Sequence, residues 1–244
     1  MTAPLLLIPI ALEWVILVTT LAPVLYPGKK FMRTHPRTAL AIWFGTLLSA
    51  GLAALLALVI AVWSIYDTWV MLEANPAGSQ NWFTALLISF APWVMLAVTG
   101  VSIALINLRI EPLVVAASDT QPQLSAASKP VMNFMGAEVC EVQLPIAFAM
   151  ASRSKILISN TLRKAATDEL LEAVLWHELA HLKQKHFELK ALAAFVRLLS
   201  PWLAASKALV AEVHELCEIA ADQSAVKKVS EPTLRSAHSF FKII

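Results

Sequence analysis

The chain reads WHELAHLK at residues 176–183, a stretch that contains the pattern His-Glu-x-x-His. On an α-helix, residues four apart lie one turn apart on the same face, so His177 and His181 can direct two imidazole nitrogens at one metal ion. Glu178 lies beside this pair, where its carboxylate can reach a metal-bound water. Two neutral nitrogen ligands, an open coordination position and a carboxylate base are the minimum apparatus of a zinc hydrolase.

The flanking sequence predicts that this pattern lies on an amphipathic helix that begins at Asp168. Apolar residues recur at helical spacing, namely Leu170, Leu171, Val174, Leu175, Leu179 and Leu182. Acidic residues fall in the opening turns and lysines towards the close, as the helix dipole favours. The alternative interpretation is a pair of surface histidines that binds no metal.

Composition indicates a membrane protein. Of the 244 residues, 58% are hydrophobic and 15% are charged, whereas soluble domains average about 45–50% apolar and about 25% charged. Three apolar stretches, at residues 4–26, 39–66 and 83–108, are each long enough to cross a bilayer as a helix, which takes about 20 residues. We therefore expect a mainly α-helical membrane protein with three transmembrane helices.

Loop charges predict the orientation of these spans. The loop over residues 27–37 carries Lys29, Lys30, Arg33 and Arg37, whereas residues 67–82 contain acidic residues and neither lysine nor arginine. Short basic loops stay in the cytoplasm. The amino terminus is then expected outside, and three crossings place the chain after Arg109 at the cytoplasmic side of the cell membrane.

The sequence divides into three parts: a membrane domain over residues 1–110, an exposed linker over residues 111–130 and a cytoplasmic domain over residues 131–244. Short β-branched or apolar segments at residues 138–143, 146–150 and 155–159 are typical of strands in a small sheet. Residues 191–211 are apolar but interrupted, and we expect an interfacial helical hairpin bent at Pro201. A fourth crossing there would place every later residue on the opposite side from His177.

A catalytic zinc site usually has three protein ligands, so a third is expected downstream. The predicted helix over residues 210–229 offers Glu218 and Asp222, four apart on one face. Glu218 would bind the metal, and Asp222 would accept the other ring proton of a ligand histidine, with His177 as first choice. His214 and Glu215 are the rival ligands. A solvated acidic face is the alternative for the whole segment.

These motifs resemble the BlaR/MecR-type integral-membrane metallopeptidases, and the related HtpX- and Ste-type membrane gluzincins are similar too. The resemblance covers roughly residues 138–228 and includes ILIS at 156–159, AVLWHELAHLK at 173–183 and EIAAD at 218–222. It implies a zincin-like α+β domain in which His177, His181 and Glu218 hold one Zn²⁺. It also implies that Glu178 is the general base, that the site faces the cytoplasm and that a strand near residues 146–150 pairs with an extended substrate.

The expected function is zinc-dependent hydrolysis of peptide bonds at the cytoplasmic face, in which Glu178 activates a zinc-bound water. The alternative is a membrane-anchored regulatory protein whose zinc site is structural or degenerate and which acts by binding a partner. Expected partners are the lipid bilayer and a protein or peptide substrate, such as a membrane protein, a cytoplasmic repressor or the chain's own linker. The net charge of +2 is modest, so nucleic acid is not expected.

Two further expectations concern single residues. Both tyrosines belong to the predicted membrane part, which leaves His238 and Arg235 as candidates for stabilising the oxyanion. Cys140 and Cys217 fall in the predicted cytoplasmic part, where thiols stay reduced, so no disulfide is expected. Cys217 is interpreted as a small buried residue rather than a metal ligand.

Overall fold

The computed structural model describes residues 7–74, 127–152 and 154–243. The third expected span, residues 83–108, and most of the expected linker lie outside these residues. The chain divides into two compact units. The first comprises Met1–Pro27, Ala41–Glu111 and Trp202–Ala205, and the second comprises Gly28–Leu40, Pro112–Pro201 and Ser206–Ile244.

Two apolar helices dominate the first unit. Helix α1 covers Leu7–Leu25, and helix α3 covers Pro36–Ala74, its first turn belonging to the second unit. By length and composition, Leu7–Leu25 and Pro36–Trp63 could each cross a membrane. Large apolar side chains such as Val24, at 72% exposure, point outwards, as expected for helices that face lipid. These helices correspond to two of the three expected spans.

Several polar groups of the apolar helices find partners on these same helices, although the buried Trp43 indole N–H has none. The Thr20 hydroxyl donates to the Ile16 carbonyl at 2.7 Å, and the Trp14 indole donates to the Ser49 hydroxyl at 3.1 Å. An unpaired polar group costs several kcal/mol in hydrocarbon, so this local pairing suits a membrane environment.

The second unit contains a four-stranded sheet. Its strands are β1 (Lys129–Phe134), β2 (Ala137–Val142), β3 (Ala149–Ala151) and β4 (Lys155–Ser159). Their order is β1-β2-β4-β3; β2 and β4 run parallel, and the other two pairs are antiparallel. Met135 and Gly136 form the β1–β2 turn, both with positive φ, which glycine adopts without the steric cost of a Cβ.

Three of these strands match predicted segments, but two details differ from prediction. Strand β1 was not predicted, because Pro130 lies in it; an edge strand beside a register shift tolerates a missing backbone donor. Strand β3 is shorter than the expected 146–150. The residues before it form a loop around Leu144, whose backbone N–H and carbonyl bond to the side chains of Asn160 and Thr161.

The described part of the second unit also contains several helices, two of them before the sheet in the chain and the others after it. They are α2 (Lys30–Thr34), the start of α3, α4 (Asn160–Ala165), α5 (Asp168–Lys183), α6 (His186–Leu199), α7 (Ala204–Ala225, which begins in the first unit) and α8 (Glu231–Ile243). The helix predicted from Asp168 is confirmed as α5. Thr167 caps its amino terminus by accepting a hydrogen bond from Leu170 N–H. Helices α6 and α7 are separated at Pro201, where the hairpin was expected to bend.

Helix α5 is held against one face of the sheet. Its buried residues Ala173, Val174, Leu175 and Leu179 pack with Val139, Ile156 and Ile158 of the strands and with Leu162, Ala225, Leu234 and Ala237 of the other helices. Trp176 packs edge-on against Phe134, with ring centroids 5.1 Å apart. This packing fixes the apolar side of α5. The side that carries His177 and His181 lines a cleft.

Candidate metal centre

The two histidines of the motif point at the same place. His177 and His181 lie one turn apart on α5, and their Nε2 atoms are 3.0 Å apart. Both side chains are largely buried, at 13% and 11% exposure. Helical spacing alone brings the rings to one face, and burial against the sheet limits the directions in which they can turn.

Helix α7 supplies the third group of the centre. Glu218 Oε2 lies 3.4 Å from Nε2 of His177 and 3.4 Å from Nε2 of His181. These three atoms form one of the sets of side-chain atoms in the described residues that could hold a metal ion. Ligand atoms bound at 2.0–2.1 Å in tetrahedral geometry are about 3.3–3.4 Å apart. The two distances to Glu218 match this value, and the separation of the two histidine nitrogens, at 3.0 Å, is a few tenths of an ångström shorter.

The charge state of Glu218 also suits a cation. Burial would raise the pKa of Glu218, but hydrogen bonds from the two histidines and from Lys190 outweigh it and hold the pKa well below its ordinary value. The carboxylate is therefore ionised across the physiological range. An ionised carboxylate is the form that binds a metal ion.

Asp222 lies behind the first histidine. Its Oδ1 is 2.8 Å from His177 Nδ1, so Nδ1–H donates to Asp222 and the Nε2 lone pair is free for a metal. Burial would lower the pKa of His177, but the hydrogen bonds with Asp222 and Glu218 outweigh it and raise the pKa to about 9. The surroundings of His177 therefore favour a positive charge on its imidazole. A metal ion bound at Nε2 would supply that charge in place of a proton.

His186 lies behind the second histidine, and the sequence did not point to it. Its Nδ1 is 2.8 Å from Nδ1 of His181, and its side chain is buried at 1% exposure. Burial lowers the pKa of His186 to about 4, and the nearby His181 and Lys190 add to this effect. His186 is therefore a neutral imidazole at physiological pH.

Glu178 lies next to the metal-binding triangle at the edge of the sheet. Its Oε2 accepts a hydrogen bond of 2.7 Å from the backbone N–H of Ala151 in β3. A cleft of about 370 Å³ opens here, lined by Glu178, the three proposed ligands and β3. A carboxylate, a set of metal ligands and a strand edge therefore share one solvent-accessible cleft, which can admit water and an extended chain.

Four more residues were considered from the sequence: His214 and Glu215 as rival ligands, and Arg235 and His238 as candidates for stabilising the oxyanion. Glu215 forms an ion pair of 2.7 Å with Arg33, and His214 is exposed. Arg235 pairs with Glu231 on its own helix. His238 Nε2, by contrast, lies 3.2 Å from Asp222 Oδ1, so this imidazole is next to the candidate metal centre.

Cys217 is buried, and burial raises the pKa of its thiol to about 11. A thiol in that state is neutral and inert rather than a metal ligand.

Residues 123–240 match the model of peptidase family M48. This stretch contains the sheet, the histidine motif and both residues of α7 that approach it. The match supports, at the level of the family, a membrane-type zincin metallopeptidase, and it does not distinguish the BlaR/MecR type from the HtpX type. Peptidases of family M48 are metal-dependent, in agreement with the His/His/Glu set. No curated protein and no solved structure matches the chain.

The assignment of the third ligand is tested by two glutamates on one helix. Glu218→Ala removes one of three donors, and we expect zinc affinity to fall by at least about a hundredfold. Glu215→Ala removes a carboxylate of the same type that lies three residues away and pairs with Arg33, and we expect affinity to stay within about threefold. Zinc titration against a chromogenic chelator measures both. Equal affinity in the two variants would contradict the assignment.

Proposed function

We propose that this protein is a zinc-dependent membrane endopeptidase that hydrolyses peptide bonds at the cytoplasmic face. The observation that carries the proposal is the position of Glu178, which stands beside His177, His181 and Glu218 within an open cleft. A structural zinc site is usually closed by four protein ligands, often cysteines. Here three protein donors converge, and neither cysteine belongs to a candidate metal-binding set among the described residues.

The roles of the residues follow from this placement. Zinc, when bound, would act as a Lewis acid that makes water more acidic and stabilises negative charge on the substrate carbonyl. Glu178 would accept the proton of the attacking water and pass it to the leaving amine. Its hydrogen bond with Ala151 N–H keeps the carboxylate aimed along the edge of the sheet, so that base and substrate strand lie on the same side of the cleft.

The base assignment is tested by Glu178→Gln, which keeps the shape but removes the proton acceptor. We expect cleavage of labelled unfolded casein by the detergent-solubilised protein to fall about 10²–10⁴-fold, with zinc still bound. The matched control is Glu169→Gln, an exposed change in the first turn of the same helix, which should cleave as the parent does. Undiminished cleavage by Glu178→Gln would contradict the role of Glu178 as base, and absence of cleavage by the parent would favour the regulatory alternative.

Strand β3 is suited to hold the substrate as an added strand. The backbone groups of Ser152 and Phe148 bond to β4, so the alternate residues Ala149 and Ala151 direct theirs to the other side. The N–H of Ala151 reaches Glu178 on that side, and Ala149 lines the cleft. An extended peptide that pairs there would be recognised mainly by its backbone, without deep side-chain pockets.

Ala149→Pro tests this mode of binding. Proline removes the outward N–H while leaving the β4 ladder intact, and losing one hydrogen bond should raise KM about threefold to tenfold. Ala149→Val, which keeps the N–H, is the control. Steady-state kinetics on one cleaved peptide measure both variants. If proline and valine have the same effect on KM, pairing at Ala149 is wrong.

The cytoplasmic orientation is supported by the basic loop, which belongs to the same compact unit as the metal centre. Arg33 pairs with Glu215, and the Gln223 amide donates to the Arg33 carbonyl at 3.0 Å. Arg37 donates to the Gln184 side chain at 3.1 Å. A short basic loop stays in the cytoplasm, so the residues bonded to it are cytoplasmic too, regardless of how many spans follow α3.

Cysteine labelling in intact cells tests the orientation. Both native cysteines are buried, so a cysteine introduced on the surface reports its own side of the membrane. We expect Glu73→Cys, beyond the apolar part of α3, to react with an impermeant maleimide. Lys30→Cys in the basic loop and Lys164→Cys on α4 should react only after the cells are opened. Labelling of Lys30→Cys in intact cells would reverse the orientation.

A further inference from the structure

Helix α6 presents two polar residues, one turn apart, to the metal centre. His186 Nδ1 lies 2.8 Å from His181 Nδ1, and Lys190 Nζ lies 2.9 Å from Glu218 Oε1. The two contacted residues are proposed ligands that come from different helices, α5 and α7. The third proposed ligand, His177, is held by Asp222 of α7. Apart from its contacts with the other two, each proposed ligand has a polar partner among the described residues, and α6 supplies two of these three partners.

We propose that His186 and Lys190 are positioning residues that hold His181 and Glu218 in the orientation that binds the metal. This inference rests on the metal centre of the proposed function and adds to it a role for α6. Neither residue is a metal ligand, and neither is assigned to the proton transfers of Glu178.

The argument for His186 concerns which ring nitrogen of His181 carries the proton. Nε2 of His181 lies 3.0 Å from Nε2 of His177, and both must present lone pairs to bind one ion. The ring proton of His181 must then be on Nδ1, where it needs an acceptor. His186 Nδ1 is that acceptor in the structure. A ligand histidine whose second nitrogen has a fixed partner keeps both its tautomer and its ring direction.

The fold makes this contact through a turn. If α5 continued as a regular helix, a residue five positions after His181 would point about 140° away from it, since each residue turns the helix by about 100°. The helix instead ends at Lys183, and Lys185 adopts a left-handed conformation with φ +55°. This reversal starts α6 at His186 and returns its ring to 4.7 Å from that of His181.

The argument for Lys190 concerns the two oxygens of one carboxylate. Glu218 Oε2 lies 3.4 Å from both imidazoles, while Oε1 faces the Lys190 ammonium. The Glu218 side chain is 51% exposed, so packing alone does not fix it. A charge-assisted hydrogen bond to Oε1 holds the carboxylate with Oε2 towards the imidazoles.

The positioning role of His186 is tested on the full chain in detergent, by competition for zinc between the protein and a chromogenic chelator. His186→Leu fills the buried volume but accepts no hydrogen bond, and affinity should fall about tenfold to a hundredfold. His186→Asn places an acceptor oxygen near the position of Nδ1 and should restore affinity to within about threefold. The control is His214→Leu, an exposed histidine on α7, which should leave affinity unchanged. Parent-like affinity in His186→Leu, or equal losses in Leu and Asn, would overturn the role.

The positioning role of Lys190 is tested in the same way, at a side chain that is partly open to solvent, with 27% exposure. Lys190→Met should weaken zinc binding about tenfold and alter the visible spectrum of the cobalt-substituted protein, while Lys190→Arg should restore both. Lys183→Met, an exposed change on α5, is the control. Lys190 also lines the cleft, so a substrate contact is the competing role. A higher KM for peptide with unchanged zinc affinity and cobalt spectrum would establish that role and overturn ours.

These measurements separate the inference from the proposed function, because metal affinity is measured without substrate. A parent protein that binds zinc and shows the expected pattern of variants, yet cleaves nothing, would support the positioning residues and contradict the peptidase. A parent that cleaves peptide, with zinc affinity insensitive to His186 and Lys190, would do the reverse. A parent that binds no zinc would overturn both.

Discussion

The structure depends on the convergence of two imidazole nitrogens and one carboxylate oxygen within 3.0–3.4 Å of one another. With no cation between them, two nitrogen lone pairs and a negative charge at this distance would repel, so the cluster needs a proton or a metal ion at its centre. The raised pKa of His177 expresses the same preference for positive charge. The packing around the cluster holds these three groups at a separation that their mutual repulsion would otherwise increase.

That packing is built from opposite sides of one helix. The apolar face of α5 is buried against the sheet through residues such as Val174 and Leu179, which fixes the direction of the two histidines. Helix α7 brings Glu218 and Asp222, four residues apart, to the other side of the rings. The sheet also contributes its edge strand, whose Ala151 N–H holds Glu178. Rigid elements thus position the groups that would do the chemistry, and the cleft remains open beside them.

How much the sequence could predict depends on whether the geometry is local. The spacing of His177 and His181 fixes their relation within one helix, so the pattern was sufficient to propose them. The four-residue offset of Glu218 and Asp222 likewise suggested a ligand and its hydrogen-bonded neighbour on one face, although it left Glu215 open as a rival until the structure paired it with Arg33. The choice between those glutamates required the tertiary contact.

The features that the sequence did not indicate depend on turns and edges rather than on periodicity. His186 comes five residues after His181, an offset that points away on a continuous helix; it reaches the site only because Lys185 reverses the chain. Strand β1 was missed because proline argues against a strand unless the strand is known to be an edge. The packing of the basic loop beside Gln223 and Glu215 joins residues about 190 positions apart, which no local pattern reports.

That last contact joins the basic loop to the candidate metal centre through one helix. Helix α7 carries Glu218 and Asp222 towards the histidines, and its Glu215 and Gln223 bond to the loop that precedes α3. The loop is basic, and its Arg33 pairs with Glu215. In the proposed orientation, residues that orient the chain in the membrane also contact the helix that carries the proposed third ligand. A substitution at Arg33 would act on both, since it removes a loop charge and a partner of α7.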